Sequence, residues 1–375
     1  MSWWALICAE LKAIWANKAI AITVFGGVFF YAILYPLPYL NNVATEQQIV
    51  VIDRDNSSLS RQVIRHANAS PQIEVVAQLA SINDGQEYLT RGQALGLVVI
   101  PQGFRRDLML GKDVTLATLG DANYFLVYSA IAQGMVSVGL DTAKQMQFKA
   151  LLAKGQDPGS AELSLNAIKL NSVPAFNPSL GYMSYVVPAV LLLVLQQTLL
   201  IGSGILGASQ WRSSGYWNQV SVVKLVTARI ITFAVLYLLF ASFYFGWCHY
   251  YYQLPVTGEL INVVMLLVAF VLASSAAGVA LSSCFSRTDM PTQIVLLISM
   301  PILFASGLIW PTMLIPEPIV WLSQLIPAIP AMMAMAQVNQ MSADWSMVFN
   351  LWLQLWGLFL LFSALAYVGV KQRLS

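Results

Sequence analysis

Apolar runs about 20 residues long and nearly free of charge recur along this chain, and each has the length a helix needs to cross a roughly 30 Å hydrocarbon core. They lie near 19 to 40, 180 to 206, 226 to 250, 260 to 282, 292 to 311 and 347 to 370, and predict six transmembrane helices. Composition gives the same answer. Of 375 residues 58% are hydrophobic and only 10% charged, against roughly 25% charged in soluble proteins. A water-soluble fold has no interior large enough to hide that surface, so the bilayer is the main solvent.

The basic residues orient the spans. Lys12, Lys18, Arg212, Lys224, Arg229, Arg287, Lys371 and Arg373 fall on one side, whereas the short loops opposite carry Glu259, Glu317 and Asp344. Lysine and arginine collect on the cytoplasmic side, so both termini are expected there. The long polar segment between the first two spans is then external, which in a bacterial inner membrane means periplasmic. The net charge of +2, with cations at the ends of apolar runs, gives no nucleic-acid surface. Cys8, Cys248 and Cys284 lie in or beside apolar segments, and their spacing fits neither a disulfide framework nor a CxxC motif. Glu10 and Lys12 interrupt the amino-terminal apolar stretch and no small-residue cleavage site follows Pro36, so this stretch is expected to be retained rather than removed as a signal peptide.

The external segment alternates β-rich and helical patterns. IVVID at 49 to 53, IEVVA at 73 to 77, ALGLVVI at 94 to 100 and VTLATLG at 114 to 120 read as strands, with helices from about Ser58, near 82 to 91, after Pro101 and from Tyr124 to about Lys154. The run SLNAIKL at 164 to 170 is expected to return as a further strand. The fold class is therefore an α-helical polytopic membrane protein with six transmembrane helices and an inserted α/β periplasmic domain. Its expected order is an interfacial helix at 1–18, a first span at 19–40, the insert at 41–178, and the remaining spans in 179–375. Within that last part the proline-rich apolar run at about 311–335 is too interrupted for one crossing helix and suits a re-entrant segment.

From about residue 280 the chain reads LSSCFSRTDMPTQ, an apolar span, SGLIWPTMLIPEPIVWLSQLIPAIPAMM and a last span ending VKQRLS. This resembles the type-2 ABC exporter permeases, in which a serine-glycine pair and a proline-containing hydrophobic loop precede the final span; here Ser306, Gly307, Pro311, Pro316, Pro318, Pro327 and Pro330 occupy those places. One span, a large insert opening with a VIDRD-like strand and five further spans extend the resemblance over nearly the whole chain. The family's charged Arg-Glu-Arg loop after the second span is replaced by SQWRSSGYWNQVSVVK, which keeps Arg212 and Gly215 without the glutamate. The resemblance implies a permease subunit of an exporter, acting as a dimer with a second copy or a related permease, and driven by a separate ABC ATPase subunit that uses the ATP. It also allows a periplasmic adaptor as partner.

The residues themselves fit that implication. No GxxxxGK[ST] phosphate loop occurs, so the chain is not expected to be an enzyme or to bind a cofactor of its own. Trp211, Tyr216 and Trp217 suit either an aromatic belt or anchors in a partner's groove. With Arg212 in the same loop, and Glu10 and Lys12 in the amino-terminal helix, they are the candidates for ATPase docking. Tyr182, Tyr185, Gln196 and Gln197 are the candidates for a substrate path, with helix-to-helix hydrogen bonding as the alternative for the glutamines. His249 stands among Trp247, Tyr250, Tyr251 and Tyr252, as in an interfacial belt. A competing reading is a membrane-anchored sensor or envelope assembly factor that binds a ligand without transport. Paired carboxylates and HExxH or Ser-His-Asp patterns are lacking in plausible settings.

Overall fold

The computed structural model describes residues 1–40, 45–166, 175–177, 181, 183–211, 213–307 and 310–374, without the side chains of Phe125 and Tyr185. It divides into two compact units, one made by residues 1–42 and 174–375, the other by residues 43–173. The chain opens with α1 (Trp3–Ala16), started by the Ser2 hydroxyl, which accepts from the Ala5 amide at 3.2 Å. After Asn17 comes α2 (Lys18–Tyr39), helical with a π-type turn over Ile22–Gly26.

The second unit is an α/β fold. Strand β1 (Gln47–Asp53) precedes α3 (Ser58–Ala69), β2 (Ile73–Leu79), α4 (Ile82–Thr90), β3 (Gly96–Ile100), α5 (Phe104–Met109), β4 (Ala117–Gly120), α6 (Phe125–Ala153) and α7 (Pro158–Leu165). The sheet runs β2-β1-β3-β4, with β1 parallel to both neighbours and β4 antiparallel to β3. Ile49 and Val51 face a core with Val63, Ile64, Ile131 and Met135 from α3 and α6. Val50 and Ile52 face the opposite core, with Leu97 and residues of α4. Burial on both faces explains why β1 is a continuous apolar run rather than an alternating one. Ser57 and Ser60 form a reciprocal cap on α3, and the Ser60 hydroxyl also donates to Asp53 Oδ2 at 2.6 Å. The four strands expected from sequence are present. The fifth is not confirmed: residues 164 and 165 close α7, and 167–170 lie outside the described residues.

The first unit continues with α8 (Met183–Gln210), α9 (Val222–Tyr251), α10 (Leu260–Ser282), α11 (Met290–Ala305), α12 (Glu317–Ser323), α13 (Ala328–Met341) and α14 (Trp345–Leu374). Among the described residues five helices, α2, α8, α9, α10 and α14, are long and apolar enough to cross a membrane, and six if the pair α12 and α13 is one broken span. The span expected at 292 to 311 is shorter than that: α11 has 16 residues, about 24 Å at the helical rise. It stops at Ser306 and Gly307, whose φ of +80° leaves helical space. The interrupted run after it is a real break, since α12 and α13 meet at 90°.

Close packing in the bundle follows from small residues. A Cβ added at Gly278 would lie 2.4 Å from Ser203 Oγ, and one at Gly207 would lie 2.7 Å from Ser282 Cβ. Thus α8 and α10 approach where only glycine fits. Between α2 and α9, tyrosine hydroxyls reach backbone carbonyls, Tyr244 to Val28 at 2.7 Å and Tyr252 to Ala32 at 3.0 Å.

Candidate functional site

A buried, multiply bonded polar cluster in the first unit lies where α1, the end of α8 and the start of α9 meet. On α1 the residues Leu6, Glu10 and Ile14, spaced four apart, are the buried ones. Two of them are apolar; the third is a carboxylate with 0% of its surface exposed. Its partner is Arg229 on α9, 1% exposed. Arg229 donates through Nε to Glu10 Oε2 and through Nη2 to Oε1, both at 2.9 Å. This two-point geometry is the strongest form of carboxylate–guanidinium contact. Burial makes it exacting, because removing either partner leaves an uncompensated charge.

The cluster extends through side chains. Arg229 Nη2 also donates to Gln210 Oε1 at the end of α8. The Gln210 amide donates to the Tyr216 hydroxyl at 3.1 Å. Burial first, and then the nearby Glu10 charge, push the Tyr216 phenol above its usual range, so it stays neutral. The Arg229 guanidinium lies over the Trp211 ring at 5.5 Å, and the Trp211 indole donates to the Ser282 carbonyl at 2.9 Å. That carbonyl ends α10, where helical carbonyls lack intrahelical partners. Trp217 donates to the Ser213 carbonyl at 3.1 Å and stacks edge-on with Tyr216 at 5.1 Å. The chain ends are tied in too: Lys224 donates to the Met1 carbonyl, and Arg373 on α14 to the Ser283 carbonyl at 2.6 Å. In the loop before α11, Arg287 and Asp289 pair with each other at 2.8 Å, and this bond holds the Asp289 carboxyl below its usual range.

This geometry corrects several expectations. Glu10 is no surface contact for a partner; it is fully enclosed, because its charge needs Arg229. Trp211, Tyr216 and Trp217 are half-buried in an internal cluster with Leu6, Leu225 and Val370 rather than projecting freely. Lys12 is exposed, and Arg212 lies outside the described residues. Of the path candidates, Gln196 is 1% exposed and its Oε1 accepts from the Ala328 amide at 2.6 Å. It caps α13, which is a structural task. Gln197 is half-buried, whereas Tyr182 and the Tyr185 side chain lie outside the described residues. His249 is buried at 3% exposure, with its Nδ1 2.9 Å from the Tyr244 carbonyl, while its neighbours Trp247, Tyr250 and Tyr251 are exposed.

Arg229 is the residue whose pairing sequence reasoning missed, having counted it only as one more orienting cation. It lies inside the third apolar run, and an arginine at such depth implies a partner. Glu10, the one acid in the preceding apolar helix, was the available one. Among the described residues no three His, Cys, Asp or Glu side chains group as a metal site.

The profile of the ABC-2 family transporter proteins matches residues 18–368. A comparison with characterised proteins returns no match. The profile spans the first membrane helix, the α/β insert, the broken pair and nearly all of α14, so its agreement covers the architecture and not one motif. This multi-pass membrane chain belongs to the ABC-2 family of transporter proteins and is a membrane transport subunit.

Proposed function

We propose that the chain is the permease subunit of an ATP-driven exporter in a bacterial inner membrane, working as a dimer with a second copy or a related permease. The end that carries α1, the 211–221 loop and the end of α14 is cytoplasmic in this reading, and the α/β unit is periplasmic. Lys12, Lys18, Lys224, Arg287, Lys371 and Arg373 support that orientation.

The observation that carries the reading is the buried Glu10–Arg229–Gln210 cluster, which bonds α1, α9 and α8 directly beside the loop that follows α8. A separate ATPase has to move the spans through short surfaces. Pressure on the 211–221 loop passes through Tyr216 and Gln210 to Arg229, and through Trp211 to the end of α10. One contact area thereby reaches three membrane helices as a rigid group. Ser213, Ser214, Asn218 and Gln219 are exposed side chains of that loop and, with the exposed Lys12 of α1, form the docking surface in this account. The apolar, aromatic-rich spans suit an amphipathic or hydrophobic substrate.

A photoreactive benzoylphenylalanine at Ser214 or Asn218, irradiated in intact cells, tests the docking surface. The expected adduct is a polypeptide carrying the GxxxxGK[ST] phosphate loop. Adducts with lipid alone, from both positions, would overturn the assignment.

A further inference from the structure

The α/β unit carries a feature that the transport reading does not use. Two neighbouring cavities flank α5 and share Leu108 in their walls. One, of about 530 Å³, is lined mainly by apolar side chains, Phe104, Leu116, Met135, Val136 and Leu140 among them, with Thr118 and Thr142 in its wall. Val136 and Leu140 stand 60% and 68% exposed beside it. The other, of about 510 Å³, is lined by Leu59, Met109 and Met146 together with Arg65, Arg105 and Lys149. Both volumes fall in the range of small-molecule sites.

The charges around the second cavity are unbalanced. Arg65, Arg105 and Lys149 are exposed and form no ion pair among the described residues. Among the described residues no acid lines that cavity, and of the nearby acids only Asp107 is neutralised by a cation of its own. Asp107 pairs with Arg106 at 3.0 Å, Asp55 accepts from the backbone amide of Arg105 at 3.1 Å, and Asp141 accepts from Gln145 at 2.8 Å. A cationic cavity therefore adjoins an apolar one, with a single leucine between them.

We propose that these adjoining cavities bind a single-chain anionic amphiphile, its head on Arg65, Arg105 and Lys149 and its chain along Met135, Val136 and Leu140. The cations supply an anion's counter-charges, and the aliphatic wall supplies the dry surface that a chain leaves water to reach. A neutral lipid would leave the cations unused, and a partner helix would have no cause to need three of them beside an apolar bay. The site rests on the α/β unit alone, so it stands or falls separately from the ATPase reading.

The test uses the full chain in nanodiscs of zwitterionic phosphatidylcholine, with hexadecanoic acid bearing a mid-chain diazirine as probe and the matching hexadecanol as control. After irradiation, peptides containing Met135, Val136 or Leu140 should carry the acid about tenfold more often than the alcohol, the scale expected when three exposed cations meet one anion. Joint substitution Arg65→Gln, Arg105→Gln and Lys149→Gln should bring the acid down to the level of the alcohol. Gly139 lines the apolar cavity, and a Cβ added there meets nothing within 4 Å. Gly139→Trp should therefore fill the bay and abolish labelling by both probes without unfolding the unit, which keeps the test decisive if the triple variant misfolds. Equal labelling by acid and alcohol, labelling confined to the membrane helices, or labelling that survives Gly139→Trp would overturn the proposal.

Discussion

Arg229 and Glu10 illustrate how a membrane protein keeps a charge inside. Each is acceptable only because the other is 2.9 Å away and aligned at two points. Glu10→Ala or Arg229→Ala should each cost about 3–5 kcal/mol of stability, the range for breaking a buried pair. The joint change Glu10→Leu with Arg229→Met should cost far less than the sum, because no lone charge remains. Thermal unfolding of the four proteins in mild detergent measures this, and additive losses would show that the pair is not coupled. Stability and docking also separate by residue. Tyr216→Ala with Trp217→Ala should lower the melting temperature, since both rings pack internally. Lys12→Glu, on an exposed side chain, should leave melting unchanged and reduce the amount of ATPase retained per folded permease. The sequence showed that α1 is apolar with a few charges, but Trp3, Trp4 and Trp15 blur its stripe. Which way Glu10 pointed was therefore hidden until α9 was in place.

The break between α12 and α13 shows the same logic in backbone groups. A 90° bend leaves amides and carbonyls without helical partners, and in an apolar setting each needs a donor or acceptor. Gln196 from α8 accepts from the Ala328 amide, and Gln354 from α14 donates to the Gln324 carbonyl at 2.9 Å. Gln196→Leu should cost about 1–3 kcal/mol, the penalty for a buried donor left unpaired, and should speed amide exchange across 324–332. Gln197→Leu should not, and equal effects would remove the cap from the account. The prolines made the interruption legible in sequence, as the unbroken IVVI run did for β1. The shape of the bend was not legible, because its two polar supports sit 132 and 30 residues away along the chain. The sixteen residues of α11 were also overestimated, since apolarity continues past Gly307 while the helix does not.

Two separately packed units in one chain, with an insert between the first and second membrane helices, set the topology that the function needs. Cysteines at Ser2 and Ser214 should react only with a reagent inside the cell, and one at Asn83 only with an impermeant reagent outside. The reverse pattern would invert the orientation and place the docking surface on the wrong side for ATP. Hydrolysis itself is the claim on which the rest depends. In the reading proposed above, a chain of this family without a phosphate loop draws its energy from a separate ATPase, and the bonded cluster at Glu10, Gln210 and Arg229 is the proposed point of entry. The decisive measurement is ATP turnover by the full-length protein purified from native membranes, before and after its partners are stripped by detergent exchange. Turnover should accompany a stoichiometric subunit bearing GxxxxGK[ST] and vanish when that subunit is removed. Persistent hydrolysis by the stripped, folded chain, or the lack of any such subunit on the intact complex, would contradict the account.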